Sequence, residues 1–141
     1  MIYGIGTDIV KISRMEKMLQ RHGRAIAERI LAPEELQRFD ETAQAAPWLA
    51  KRFAAKEATA KALGSGFRDG LSLRHIAVVN LPSGKPELVF YERGAEVVQA
   101  LAVDRSHLSL ADEEEYAIAY VILEQGEGGE SVTLCKDDTQ E

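Results

Sequence analysis

Cysteine is almost missing from this chain. One residue, Cys135, stands among 141, which excludes an internal disulfide and any cysteine-rich zinc centre. The scarcity fits a reducing compartment. Aromatic residues are few as well, at 6%, and the total charge is acidic. Both argue against a nucleic-acid-binding module, which more typically shows a basic excess and stacking aromatics. No stretch approaches the roughly 20 apolar residues of a membrane span. No charged start followed by a long apolar run marks a signal peptide. The histidines His22, His75 and His107 are scattered and mark no metal site. A soluble cytoplasmic protein is expected, with no membrane and no nucleic-acid partner.

What is present is enough apolar material, 45% of 141 residues, for one domain with a sizeable core. The charge is unevenly spread. Residues 1–74 carry 13 Lys and Arg against 9 Asp and Glu, a net of +4, within a chain of net charge −6. Residues 75–123 carry 3 against 8, and residues 124–141 carry 1 against 6, a net of −5 each. A basic first half suits an anionic partner, although solvated helix faces would give the same pattern.

Apolar spacing gives a coarse organisation. Met1–Gly6 reads as a short buried strand followed by Asp8. Ile12, Met15, Met18 and Leu19 recur at helical spacing, and Gly23 stops that helix. Ala25–Leu31 is a second short helix. Pro33 opens a third that runs to about Asp40. Glu41–Pro47 is a loop. Trp48–Leu63 is the strongest helix, dense in alanine and closed by Gly64-Ser65-Gly66. Leu73–Asn80 and Glu87–Tyr91 are strands joined by the turn Leu81–Pro86. Gly94–Ala102 is a helix. His107–Ala111 and Glu115–Leu123 make a hairpin. From Gln125 the chain turns polar, acidic and glycine-rich, so a domain over residues 1–124 and a disordered tail over 125–141 are expected. There is no internal repeat.

Two acids stand in segments that otherwise look built for burial, Asp8 and Glu57. Buried acids are costly unless paired or bound to metal. Together they could hold one hard cation such as Mg²⁺, and Lys61, one turn after Glu57, could meet a phosphate. Phe53, Glu57 and Lys61 share a helix face, with Arg52 and Lys56 on an adjacent stripe. Other readings stay open at this point. Glu57 and Lys61 could be a plain surface pair worth about 0.3–0.5 kcal/mol. Asp8 could cap the following helix.

These residues also carry a likeness. Gly4-Ile5-Gly6-Thr7-Asp8-Ile9-Val10 resembles the N-terminal signature of the holo-acyl-carrier-protein synthases, a 4′-phosphopantetheinyl transferase family. Arg52–Ala58 with Lys61–Gly66 resembles their second signature. Gly84-Lys85-Pro86, His107–Glu113 and Tyr116-Ala117 resemble later motifs, in the family's order and spacing from Met1 to about Glu124.

The resemblance implies an α/β (α+β) fold with a small antiparallel sheet and a long central helix. It implies a homotrimer with active sites at subunit interfaces. It implies transfer of the 4′-phosphopantetheine arm of coenzyme A to a serine of apo-acyl-carrier protein, in support of fatty acid biosynthesis. Adenosine 3′,5′-bisphosphate is the other product. By position, Asp8 and Glu57 are the Mg²⁺ ligands, and Asp8, Glu57 and Lys61 the catalytic set. The serine's proton goes to Glu57 or to a metal-bound water. Arg52, Lys61, Gly64, Gly84, Lys85 and Pro86 hold coenzyme A. The first long helix docks the acidic carrier protein through Arg14, Met18, Arg21 and Arg24. Arginine suits carboxylates and methionine adapts to a partner's surface. A core-facing methionine stripe with solvated arginines is the plainer alternative. Asp112 takes no phosphate role, since some family members carry histidine there and an aspartate would repel phosphate; it reads as a turn residue. A Mg²⁺-dependent phosphohydrolase would use the same acids and lysine but no protein acceptor.

Overall fold

The computed structural model describes residues 1–126. Its elements run in the order β1 (Ile2–Lys11), α1 (Ile12–His22), α2 (Arg24–Ile30), α3 (Pro33–Glu41), α4 (Ala45–Leu63), β2 (Ile76–Asn80), β3 (Pro86–Phe90), α5 (Glu92–Ala100), β4 (Val103–Asp112) and β5 (Tyr116–Gln125). The tail expected over 125–141 falls outside the described residues, apart from Gln125, which ends β5, and Gly126.

Helix α4 is the centre. It is dense in alanine, a strong helix former, and its buried residues are spread around the cylinder rather than along one stripe. A helix apolar on all sides must be covered on all sides. The sheet β1-β5-β4 lies against one flank. Helices α1 and α3 and the separate β2-β3 hairpin pack on others. The helix begins at Ala45, three residues before the expected Trp48, because Pro47 is tolerated in a first turn whose N–H groups bond nothing within the helix. It ends at Gly64, whose φ of 84° is left-handed.

Strand β1 departs from the expectation most. It is not a short buried run ending before Asp8. It pairs antiparallel with β5 from Ile2 to Lys11, so Asp8 lies inside the strand, opposite Ala119. Its side chains alternate. Gly6 and Val10 face the helix and are buried, while Ile5 and Ile9 point outward and are 53% and 59% exposed. Ile118 and Tyr120 of β5 continue that open apolar face.

Leu73–His75 forms a 3₁₀ turn rather than the start of β2. The His75 ring accepts the Ser72 N–H, and the His75 N–H bonds back to the Ser72 carbonyl, which closes the turn. Asp112 ends β4, with the turn Glu113–Glu115 after it, and pairs with Lys51 at 3.4 Å.

A buried ion pair ties the helical side together. Lys56 and Glu35 are 0% and 1% exposed, and Nζ lies 2.6 Å from Oε1. The ammonium also donates to the carbonyls of Leu73 and Ile76. The carboxylate accepts the N–H groups of Ala32 and Val78. Burial pulls the Lys56 ammonium below its usual value, and Glu35 opposes that pull. A fully satisfied pair of this kind specifies how α3, α4 and β2 meet more than it stabilises them. Breaking it is different, because one charge is then left buried alone. Lys56→Met should therefore cost about 3–5 kcal/mol in a urea unfolding experiment; a loss below about 1 kcal/mol would show that the fold does not need the pair.

Candidate active site

The site begins with two glycines. A Cβ on Gly4 would sit 1.9 Å from the Ala62 carbonyl oxygen, and one on Gly6 would sit 1.8 Å from that of Ala58. No side chain fits there, so β1 crosses α4 at backbone contact. Two residues after Gly6, on the same face of the strand, comes Asp8. The crossing sets it beside the Glu57–Lys61 turn of α4. Lys61 donates to Asp8 Oδ1 at 3.0 Å and to the Thr7 carbonyl at 3.0 Å. The lysine therefore turns to β1, which removes the reading of a helix-surface pair with Glu57. Lys11 occupies the N-cap position of α1, so Asp8 is not its cap.

Glu57 is partly buried, and its carboxyl is held above the usual range. Burial is the main cause and the Asp8 charge adds to it; Lys61 and Arg14 pull the other way. Two carboxylates that repel one another in a half-enclosed place, with all-oxygen donors, suit a hard divalent cation that keeps room for water or substrate oxygens. Among the described residues no group of three or more potential ligand side chains exists, so a cation held here would need such extra oxygens.

The other expected residues fall into separate places. Arg52 is five residues before Glu57, hence about 140° around the helix. It is buried, donates from Nη2 to Asn80 Oδ1 at 2.8 Å, and lies 3.9 Å over the Trp48 ring. Burial brings its guanidinium down to about 10, with Glu35 raising and Arg38 lowering it further. Gly84, Lys85 and Pro86 form the end of the β2-β3 hairpin, where Gly84 has a φ of 89°. Asn80 donates to the Gly84 carbonyl at 3.0 Å. Arg52 and this turn are thus joined through Asn80, a residue that carries no motif and that sequence reasoning missed. Gly64 closes α4 and borders a recess of about 400 Å³ shared with Tyr3, Arg68 and Arg93.

Helix α1 splits its methionines. Met15 is 2% exposed and belongs to the core. Met18 is half-buried and, with Arg14, Ile26 and Phe53, lines an apolar recess of about 220 Å³. Arg14 and Arg21 are exposed. Arg24 starts α2, and its guanidinium fork holds Asp40 with two bonds of 2.8 Å and Glu28 with one of 2.7 Å. That pairing keeps the Asp40 carboxyl below its usual value.

Residues 4–121 match the model of the 4′-phosphopantetheinyl transferase superfamily. The chain belongs to that superfamily. It is 55% identical over 126 residues to a holo-[acyl-carrier-protein] synthase of Halorhodospira halophila, covering 89% of this chain and all of that protein. The crystal structure of the holo-[acyl-carrier-protein] synthase of Neisseria meningitidis superposes with a TM-score of 0.84 at 43% identity, over 89% of this chain and 100% of the other. A synthase structure from Bacillus anthracis in complex with CoA (3′,5′-ADP) superposes with a TM-score of 0.74 at 36% identity, over 89% and 99%. The mixed fold with its small antiparallel sheets is thus the superfamily's, as the motifs led one to expect. The glycine crossing predicts its own test. Gly6→Ala puts a methyl group into the Ala58 carbonyl, and should destabilise by about 1–3 kcal/mol or more and cut activity as Asp8 is displaced; a wild-type melting temperature would show that β1 can move off α4 freely.

Proposed function

We propose that this transferase is a holo-acyl-carrier-protein synthase. It moves 4′-phosphopantetheine from coenzyme A to a serine of apo-acyl-carrier protein. The observation that carries this reading is the Asp8–Glu57–Lys61 cluster, placed by a backbone contact within a chain so similar to the Halorhodospira synthase. The serine hydroxyl oxygen bonds to the phosphorus that bears pantetheine. The diphosphate bridge breaks, and adenosine 3′,5′-bisphosphate leaves with the bridging oxygen. Glu57, raised by burial and by Asp8, is the chain's own candidate to accept the serine proton. Lys61 offers positive charge to phosphate oxygens beside it. Asp8 and Glu57 fit Mg²⁺, which when bound supplies charge neutralisation to the diphosphate and to the leaving bisphosphate. Arg52, Gly64 and the turn Gly84-Lys85-Pro86 hold the rest of the coenzyme.

The carrier protein docks on α1. Arg14 lines the apolar recess with Met18, and Arg21 is exposed on the same helix, an arrangement that suits an acidic partner with an apolar anchor. Arg24 adds least, since its fork is already taken by Asp40. Ile5, Ile9, Ile118 and Tyr120 are exposed apolar side chains on the paired strands β1 and β5, so they are grouped rather than scattered. That grouping supports assembly through this face, and a homotrimer in the cytoplasm serving fatty acid biosynthesis completes the reading.

Mass spectrometry of apo-acyl-carrier protein after incubation with coenzyme A and Mg²⁺ should show a gain of one phosphopantetheine. Phosphate release with no gain would point to a hydrolase instead. Asp8→Asn and Glu57→Gln should each fold normally yet lose on the order of a hundred- to a thousandfold in rate, the equivalent of roughly 3–4 kcal/mol. A raised carboxyl is protonated sooner as pH falls, so the Mg²⁺ concentration for half-maximal rate should climb toward acid pH in the wild type. Glu57→Gln should abolish that climb. Light scattering should give three times the chain mass, and Ile9→Glu should break the assembly; a fully active monomer would refute the trimer.

A further inference from the structure

The guanidinium of Arg52 is in an unusual position. It is 6% exposed, yet among the described residues no carboxylate bonds it, and its Nε has no hydrogen-bond partner. The nearest acid by effect, Glu35, has both oxygens taken by Lys56, Ala32 and Val78. Arg38 adds a like charge and lines the same recess of about 230 Å³ as Arg52 and Asn80, with Glu34 and Glu35 also on its wall. A buried cation with no carboxylate bonded to it is costly, and Glu35 offsets only part of that cost through space. Two contacts hold it: the Trp48 ring, and the Asn80 side-chain oxygen. Neither cancels its charge.

Asn80 does something more. Its Oδ1 accepts from Arg52 and its Nδ2 donates to the Gly84 carbonyl. The arginine has only donors and the carbonyl only accepts, so one amide orientation satisfies both. A carboxylate at residue 80 would satisfy the arginine, repel the carbonyl and quench the charge. An aliphatic residue would hold neither.

We propose that Asn80 is a positioning residue for coenzyme recognition, which locks the Arg52 cation, bonded by no carboxylate, and the Gly84 turn into one rigid unit that receives the terminal, non-transferred phosphate of coenzyme A. This rests on the reading that Arg52 and the hairpin turn hold the coenzyme. Asn80 touches no substrate in this scheme. It acts by keeping the guanidinium aimed and its charge unspent.

The test is a double-mutant cycle with coenzyme A and 3′-dephospho-coenzyme A as alternative substrates. Asn80→Ala should raise KM for coenzyme A about tenfold, the worth of a hydrogen bond to a charged group. KM for the carrier protein should not move. The preference for coenzyme A over its dephospho form should fall by the same factor. In an Arg52→Gln background, Asn80→Ala should add nothing. Asn80→Asp should keep the melting temperature and still erase the preference, which a purely structural asparagine would not do. If Arg52→Gln raises KM for coenzyme A but neither Asn80 variant does, the proposal fails while the role of Arg52 stands. If Arg52→Gln leaves coenzyme A binding unchanged, the underlying reading fails first. An Asn80→Ala variant that weakens both substrates equally, along with the fold, would also overturn the proposal.

Discussion

The separation between β1 and α4 is fixed by two carbonyl oxygens. Those of Ala58 and Ala62 lie under 2 Å from where a Cβ on Gly6 or Gly4 would stand. The strand can reach that depth only without side chains, and the helix can offer it only with alanines. From this contact follow the pairing of β1 with β5, the burial of Val10, Ala119 and Val121 on one face, and the exposure of Ile5 and Ile9 on the other. The position of Asp8 follows too. Sheet and helix meet closely enough that one carboxylate from each shares a neighbourhood with Lys61, although the two residues are far apart in sequence.

The basic residues of α4 show how one helix divides its labour. Lys56 and Lys61 are five positions apart, about 140° around the axis. Lys56 is fully enclosed and spent on Glu35 and two carbonyls. Lys61 is more than half exposed and bonds Asp8. Arg52 is enclosed like Lys56 but has no acid of its own. Three basic side chains on one helix thus give an internal strut, a group at the candidate active site, and a held charge. Only the surrounding elements decide which.

Much of this was legible in the sequence. Helix α1 and its stop at Gly23, the proline start of α3 and the alanine-rich α4 follow from spacing, caps and propensity, which are local. The glycines of β1 were visible as part of a motif, but their purpose was not, because a close approach is a property of two segments. The strand's length was misjudged for a similar reason: its apolar run suggested burial on both faces, whereas half of it faces outward. The pair Glu35–Lys56 was invisible. Nothing in Pro33-Glu34-Glu35-Leu36 marks one glutamate as core, since burial of a charge depends on a partner 21 residues away. Asn80 was missed because an asparagine before a Pro-Ser-Gly turn reads as turn chemistry alone.

Charge closes the account. Part of the basic excess of the first half is spent within the fold. Arg24 is neutralised by Asp40 and Glu28, and Lys56 by Glu35. Arg14, Lys17 and Arg21 are exposed on α1, Arg29 on α2 and Arg38 on α3, while Arg52 is enclosed and Lys61 is bonded to Asp8. Asp8 and Glu57 repel one another at one place, whereas at another Arg52 feels the attraction of Glu35 more than the repulsion of Arg38. A cation would relieve the first. Arg52 and Glu57 stand about 140° apart on α4, so burial, more than pairing, sets the character of both places: it raises the carboxyl and lowers the guanidinium.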